Sequence, residues 1–134
     1  MATSFKKLQE NSTAKTSLTD IYMVDNSEKE IKINLNIGAA MQKGLSRIKL
    51  GRTVLLDQHE GSVKNLSLGS NAGVKGKFLN IKTVVIDIAG LPNETFLELE
   101  ITGGVNGKFS SSLSKTVLND GDSVFYEIEI FFFN

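Results

Sequence analysis

Ile31, Ile33, Leu35 and Ile37 alternate with Lys32, Asn34 and Asn36, and this period of two constrains the chain more than any other feature. Side chains on a β-strand point to opposite faces in turn, so this segment has one dry face and one wet face. Leu97, Leu99 and Ile101 repeat the pattern against Glu98 and Glu100, and Val124, Tyr126, Ile128, Ile130 and Phe132 extend it near the C-terminus. Strands solvated on one side belong to antiparallel sheets; a doubly covered parallel strand reads as a continuous apolar run.

Further strand segments are Ile21–Val24, Leu45–Leu56, Val63–Leu68, Phe78–Ile88 and, more weakly, Phe109–Val117. No run carries a helical period of 3.6 over three turns. About eight short strands with turn residues between them make an all-β chain, an antiparallel β-sandwich rather than a barrel. Its strand order, jelly-roll or immunoglobulin-like, is open, and the Cys and Trp marks of true immunoglobulin domains are missing. Two phase breaks fit a sandwich whose strands bend between sheets. Gly51 interrupts one run and implies a bulge that turns Arg52 outward. The change of phase near Lys82 and Thr83 implies a second bulge, or a strand that changes sheets.

The turns expected between strands are Asp25–Glu28, the Ala39–Gly44 connection with a helical turn as an option, the Asp57–Gly61 loop, the flexible Gly69–Gly73 loop and Gly90–Asn93. Asn119-Asp120-Gly121-Asp122 is the strongest hairpin signal, because Asp-Gly suits a tight primed turn. With 134 residues and 40% hydrophobic content, residues 18–134 suffice for one β-sandwich domain. Residues 1–17 are polar, with Phe5 and Leu8 as the apolar anchors, and read as a flexible arm with room for one helical turn.

Composition removes several functions. Fifteen basic and fifteen acidic residues cancel, so no general attraction to nucleic acid or anionic lipid is expected. Without cysteine there are no disulfides and no thiolate metal sites, and one histidine cannot make a histidine-rich site. No apolar stretch suits a signal peptide or a membrane span. A cytoplasmic location is therefore expected, although signal-independent export would leave no mark. The N-x-S/T triplets at Asn11, Asn65 and Asn93 then read as chance.

Candidate sites are few. His59, the single imidazole, sits in a charged loop and has no nucleophile elbow to serve, so no enzyme is expected. Gly76-Lys77 has the look of a phosphate loop, but Asn71 and Phe78 stand where glycine and Ser or Thr are required. No cofactor is implied. Asn119, Asp120 and Asp122 are the metal candidates, with Asp57 and Asp87 as contributors from elsewhere; a plain turn explains the same residues. A calcium-dependent or lectin-like sandwich using the loops around Asp57, Asn71 and Asp120 is the alternative reading. Carbohydrate binding gains nothing from a chain with no Trp and with only Tyr22 and Tyr126.

The outward phase of the strands is more informative. Phe96 lies beside Glu98 and Glu100, and Phe125, Phe131 and Phe133 share a phase with Glu127 and Glu129. Exposed phenylalanines on strand faces need a cover, from the N-terminal arm, a loop or a partner. These four are the interface candidates, and the leading expectation is a non-enzymatic structural or protein-interaction module, working as an oligomer or within a larger assembly such as a phage-like or secretion apparatus.

Overall fold

The computed structural model describes residues 5–38, 42–88 and 94–134, and in it every alternating segment is a strand. A short helix α1 (Phe5–Glu10) precedes β1 (Ala14–Met23), β2 (Glu30–Ile37), β3 (Gln42–Leu50), β4 (Thr53–Glu60) and β5 (Val63–Ser70). One helical turn, α2 (Asn71–Val74), leads to β6 (Phe78–Asp87), β7 (Glu94–Gly104), β8 (Gly107–Thr116) and β9 (Ser123–Phe133). The Gly90–Asn93 turn, the triplet asparagine Asn93 and residues 39–41 of the connection before β3 lie outside the described residues.

The nine strands form a five-stranded sheet in the order β1-β9-β6-β3-β4 and a four-stranded sheet in the order β5-β2-β7-β8. This is a β-sandwich. The core is the meeting of the inward phases: Ile33, Leu35, Leu97 and Ile101 of the smaller sheet against Ile48, Ile81, Ile128 and Phe132 of the larger, all fully buried. Two tyrosines tie the sheets together. The Tyr22 hydroxyl accepts from Gly104 N–H at 2.8 Å and donates to the Gly107 carbonyl, and the Tyr126 hydroxyl bonds Thr95.

Asp57–Glu60, expected as a loop, are the second half of β4, and four further sequence expectations change. β1 begins at Ala14, so the boundary placed at residue 18 falls inside a strand. It pairs with β9 in parallel, from Ala14↔Val124 to Met23↔Phe133, and so departs from the antiparallel rule. Its first half is polar because it is an edge strand whose inward residues are only half-buried. Second, Lys82-Thr83 is no bulge. β6 keeps an unbroken register with β3 and β9, and Thr83 takes an inward place. Val84 and Ile86 are shielded through other means: Phe5 and Leu8 of α1 pack on Val84, Ile86, Leu45 and Phe125 outside the sheet.

Third, Gly51 and Arg52 are the two turn residues of the β3–β4 hairpin, closed by the pair Leu50↔Thr53. Gly51 has φ +59, a region that only glycine enters freely. The irregularities fall further along β4, where the register shifts twice against β3. Fourth, Asn119–Asp122 does not close a hairpin, because β8 and β9 belong to different sheets. The sequential neighbours that pair are β3–β4 and β7–β8. In the latter, Gly103 sits at a register shift with φ +104, and a Cβ there would lie 2.1 Å from the Glu30 carbonyl oxygen.

Candidate interaction face

Residues in register on neighbouring strands stand side by side, so the outward phase of the five-stranded sheet is ordered in rows that cross β3, β6, β9 and β1. One row is Leu45, Val84, Phe125 and Lys15. Next come Arg47, Lys82, Glu127 and Ser17, then Lys49, Asn80, Glu129 and Thr19. The last contains Phe78, Phe131 and Ile21, with Phe133 two residues beyond on β9.

The first row is closed. Phe125 is 7% exposed because Phe5, on the N-terminal helix, lies against it. A six-residue helix is unstable alone, so this apolar contact is what holds α1 in place. Phe125 is therefore removed from the interface candidates.

The last row is open. Ile21 is 56% exposed, Phe133 48% and Phe78 47%. Phe131 is half-buried among them, with ring centroids 4.8 Å from Phe78 and 6.4 Å from Phe133. The backbone edge beside this row is blunted. Asp20, on edge strand β1, accepts from the Ile21 N–H at 2.8 Å, which puts a charge and a filled donor where another strand would add.

Phe96 lies on the opposite side of the molecule, half-buried on the outer face of the four-stranded sheet across from Ser114. That face is polar and satisfied from within. Asn36 Nδ2 donates to Glu98 Oε1 at 3.0 Å, and Lys108 Nζ meets Glu100 Oε2 at 2.6 Å, which holds the Glu100 carboxyl below its ordinary range. Phe96 thus shares no surface with Phe131 and Phe133.

The loop candidates are spread apart. Asn71 is fully buried and acts as a clip: its amide donates to the carbonyls of Lys29 and Gly103 and accepts from Asp25 N–H. It sits near the end of β9, where Val24 N–H bonds the Phe133 carbonyl, while Asn119–Asp122 lead into the start of β9 at Ser123. Asn71 and Asp120 are therefore at opposite ends of an 11-residue strand, and Asp57, on β4, pairs with Arg47. These three positions do not converge.

At the 119–122 turn, Asp122 Oδ2 accepts from Asn119 N–H at 3.1 Å, Gly121 has φ +87, and the backbone of Asp87 bonds Gly121 and Asp122. Local turn chemistry occupies these groups. Among the described residues, no group of three or more His, Asp or Glu side chains is placed to hold a metal ion. His59 Nε2 lies 3.4 Å from the Ser62 carbonyl, with no nucleophile among its hydrogen-bond partners. Tyr22 and Tyr126 are buried, their hydroxyl pKa values raised by loss of solvent, and neither ring can stack on a sugar. No helix among the described residues is long and apolar enough to cross a membrane.

Comparison with protein-family models, with curated proteins and with solved structures found no match. The reading of this chain therefore rests on its own geometry. Sequence reasoning missed Ile21 and Phe78 as members of the open row. Alternation carried the signal for Phe78, since Leu79 faces inward, but the cross-strand register that joins it to Phe131 is non-local.

Proposed function

We propose that this protein is a non-enzymatic interaction module that assembles through the open row Ile21, Phe78, Phe131 and Phe133. The observation that carries the reading is the exposure of these side chains side by side on three neighbouring strands. Scattered surface hydrophobics need no explanation, but a contiguous apolar patch on a folded chain marks a place where another surface sits. About half of Ile21, Phe78 and Phe133, and less of Phe131, is still exposed, so covering the four contributes on the order of 3–6 kcal/mol, and the surface around the row must add to this to offset the cost of association.

A second copy of the chain is the occupant favoured here. Asp20 blunts the adjoining strand edge, so face contact rather than strand addition is the mode. The lectin-like and calcium-dependent alternatives draw on Tyr22 and Tyr126, whose hydroxyls are engaged between the sheets, and on the 119–122 turn, where the Asp122 carboxylate already accepts from Asn119 N–H. They are the weaker readings for that reason.

Light scattering on a sizing column, over a dilution series, tests the proposal. The wild-type chain is expected above monomer mass and to dissociate on dilution. Phe133→Asp, at an exposed ring, is expected to give a monomer with an unchanged β-sheet spectrum. A wild-type monomer at every concentration would overturn self-assembly, as would a Phe133→Asp variant of unchanged mass.

A further inference from the structure

We infer that the recess between α1 and the outer face of the five-stranded sheet binds a small oxyanion of the phosphate class. Lys6 and Gln9 of α1, Arg47 of β3, Asp57 and Gln58 of β4 and Lys82 of β6 face this recess. Three cations and two amides stand there against a single carboxylate. Glu127, the register partner of Lys82, accepts from Asn80 Nδ2 at 3.0 Å; its charge stands beside Lys82 but outside the residues that line the recess.

Arg47 is the centre of the site. Its Nε is shielded from solvent and has no hydrogen-bond acceptor; the nearest carboxylate oxygen, Asp57 Oδ1, is 3.7 Å away, a charge contact rather than a hydrogen bond. The side chain as a whole is 42% exposed, so the remaining guanidinium donors reach the recess. A planar guanidinium beside two ammonium groups suits the spread charge of a tetrahedral oxyanion better than a single carboxylate does. The wall opposite α1 is irregular: Gln58 is held at φ +50, a left-handed conformation that L-residues seldom adopt, where β4 slips its register against β3. Asp57 and Gln58 together oppose Arg47 there, whereas regular pairing would have turned the Gln58 side chain to the other face of the sheet from Asp57.

The inference is independent of assembly through the aromatic row, because the recess lies at the α1 end of the same face. Two-dimensional amide NMR, titrated with inorganic phosphate at constant ionic strength, tests it on the full chain. Saturable shifts are expected at Lys6, Gln9, Arg47 and Gln58. Arg47→Gln and the double variant Lys6→Gln/Lys82→Gln should each weaken binding about tenfold or more, the effect of losing a charge-assisted contact. Lys115→Gln, on the other sheet, should leave affinity unchanged, and Phe133→Asp should bind as the wild type does. A parallel titration with O-phosphoserine separates a phosphorylated ligand, which binds more tightly than the free ion, from the ion itself. Shifts that fail to saturate, that sodium chloride reproduces, or that persist unchanged in both recess variants would overturn the site.

Discussion

The Tyr126 hydroxyl donates to Thr95 Oγ1 in the buried space between the two sheets. The direction follows from proton counting. Thr95 Oγ1 has one proton and gives it to the Lys115 carbonyl at 2.8 Å, so the bond with Tyr126 must take its proton from the tyrosine. Tyr126→Phe removes one hydrogen bond and leaves Thr95 a satisfied donor, at a cost of about 1 kcal/mol. Thr95→Val strands the Tyr126 hydroxyl and deprives the Lys115 carbonyl of this donor, at a cost of about 2–3 kcal/mol. Urea unfolding of both variants checks the order. A larger loss in Tyr126→Phe would reverse the assigned direction.

The same burial fixes how the fold responds to alkali. Tyr22 and Tyr126 are the chain's two tyrosines, and loss of solvent is the largest effect on each and raises its pKa; the Gly104 N–H, which donates to the Tyr22 hydroxyl, acts in the opposite sense there and is the smaller effect. A folded pKa above the unfolded one means the folded state holds its proton more tightly. The resulting stability is fully present below the unfolded tyrosine value of about 10 and is lost as pH rises through the folded values. Tyrosinate absorbance is thus expected to appear only above about pH 10 and together with loss of the β-sheet spectrum. A smooth titration near the ordinary value, with the sheets intact, would show that the rings reach solvent.

The strand phases were legible because burial decides them locally. Ile31 through Ile37 and Leu97 through Ile101 face where alternation puts them, with one flank dry. What stayed hidden depends on residues far apart in the chain. Val84 and Ile86 break the inward phase of β6 because Phe5 covers them, and no local pattern announces a cover almost 80 residues away. Asp120-Gly121 has the chemistry of a tight turn, but turn chemistry does not say whether the strands on either side will pair, and here they lie in different sheets. The parallel pairing of β1 with β9 is likewise a long-range choice, made by a strand too polar to stand out. For the candidate face, alternation placed Phe131 and Phe133 outward, whereas the closing of Phe125 and the opposite placement of Phe96 required the fold.

Ser46 and Thr83 explain why β6 tolerates a polar residue in its inward phase. They are register partners on β3 and β6, both fully buried, with their hydroxyl oxygens 2.8 Å apart. Each hydroxyl is the other's compensation for lost water. Thr83→Val alone leaves the Ser46 hydroxyl without this partner and should cost about 1–3 kcal/mol, and Ser46→Ala alone should cost a similar amount. Making both changes removes the pair of polar groups together and should come within about 1 kcal/mol of wild type. The non-additivity, read from urea midpoints in a double-mutant cycle, is therefore the diagnostic quantity. If the two single losses simply summed, the hydroxyls would not be sustaining one another, and volume rather than hydrogen bonding would account for both positions.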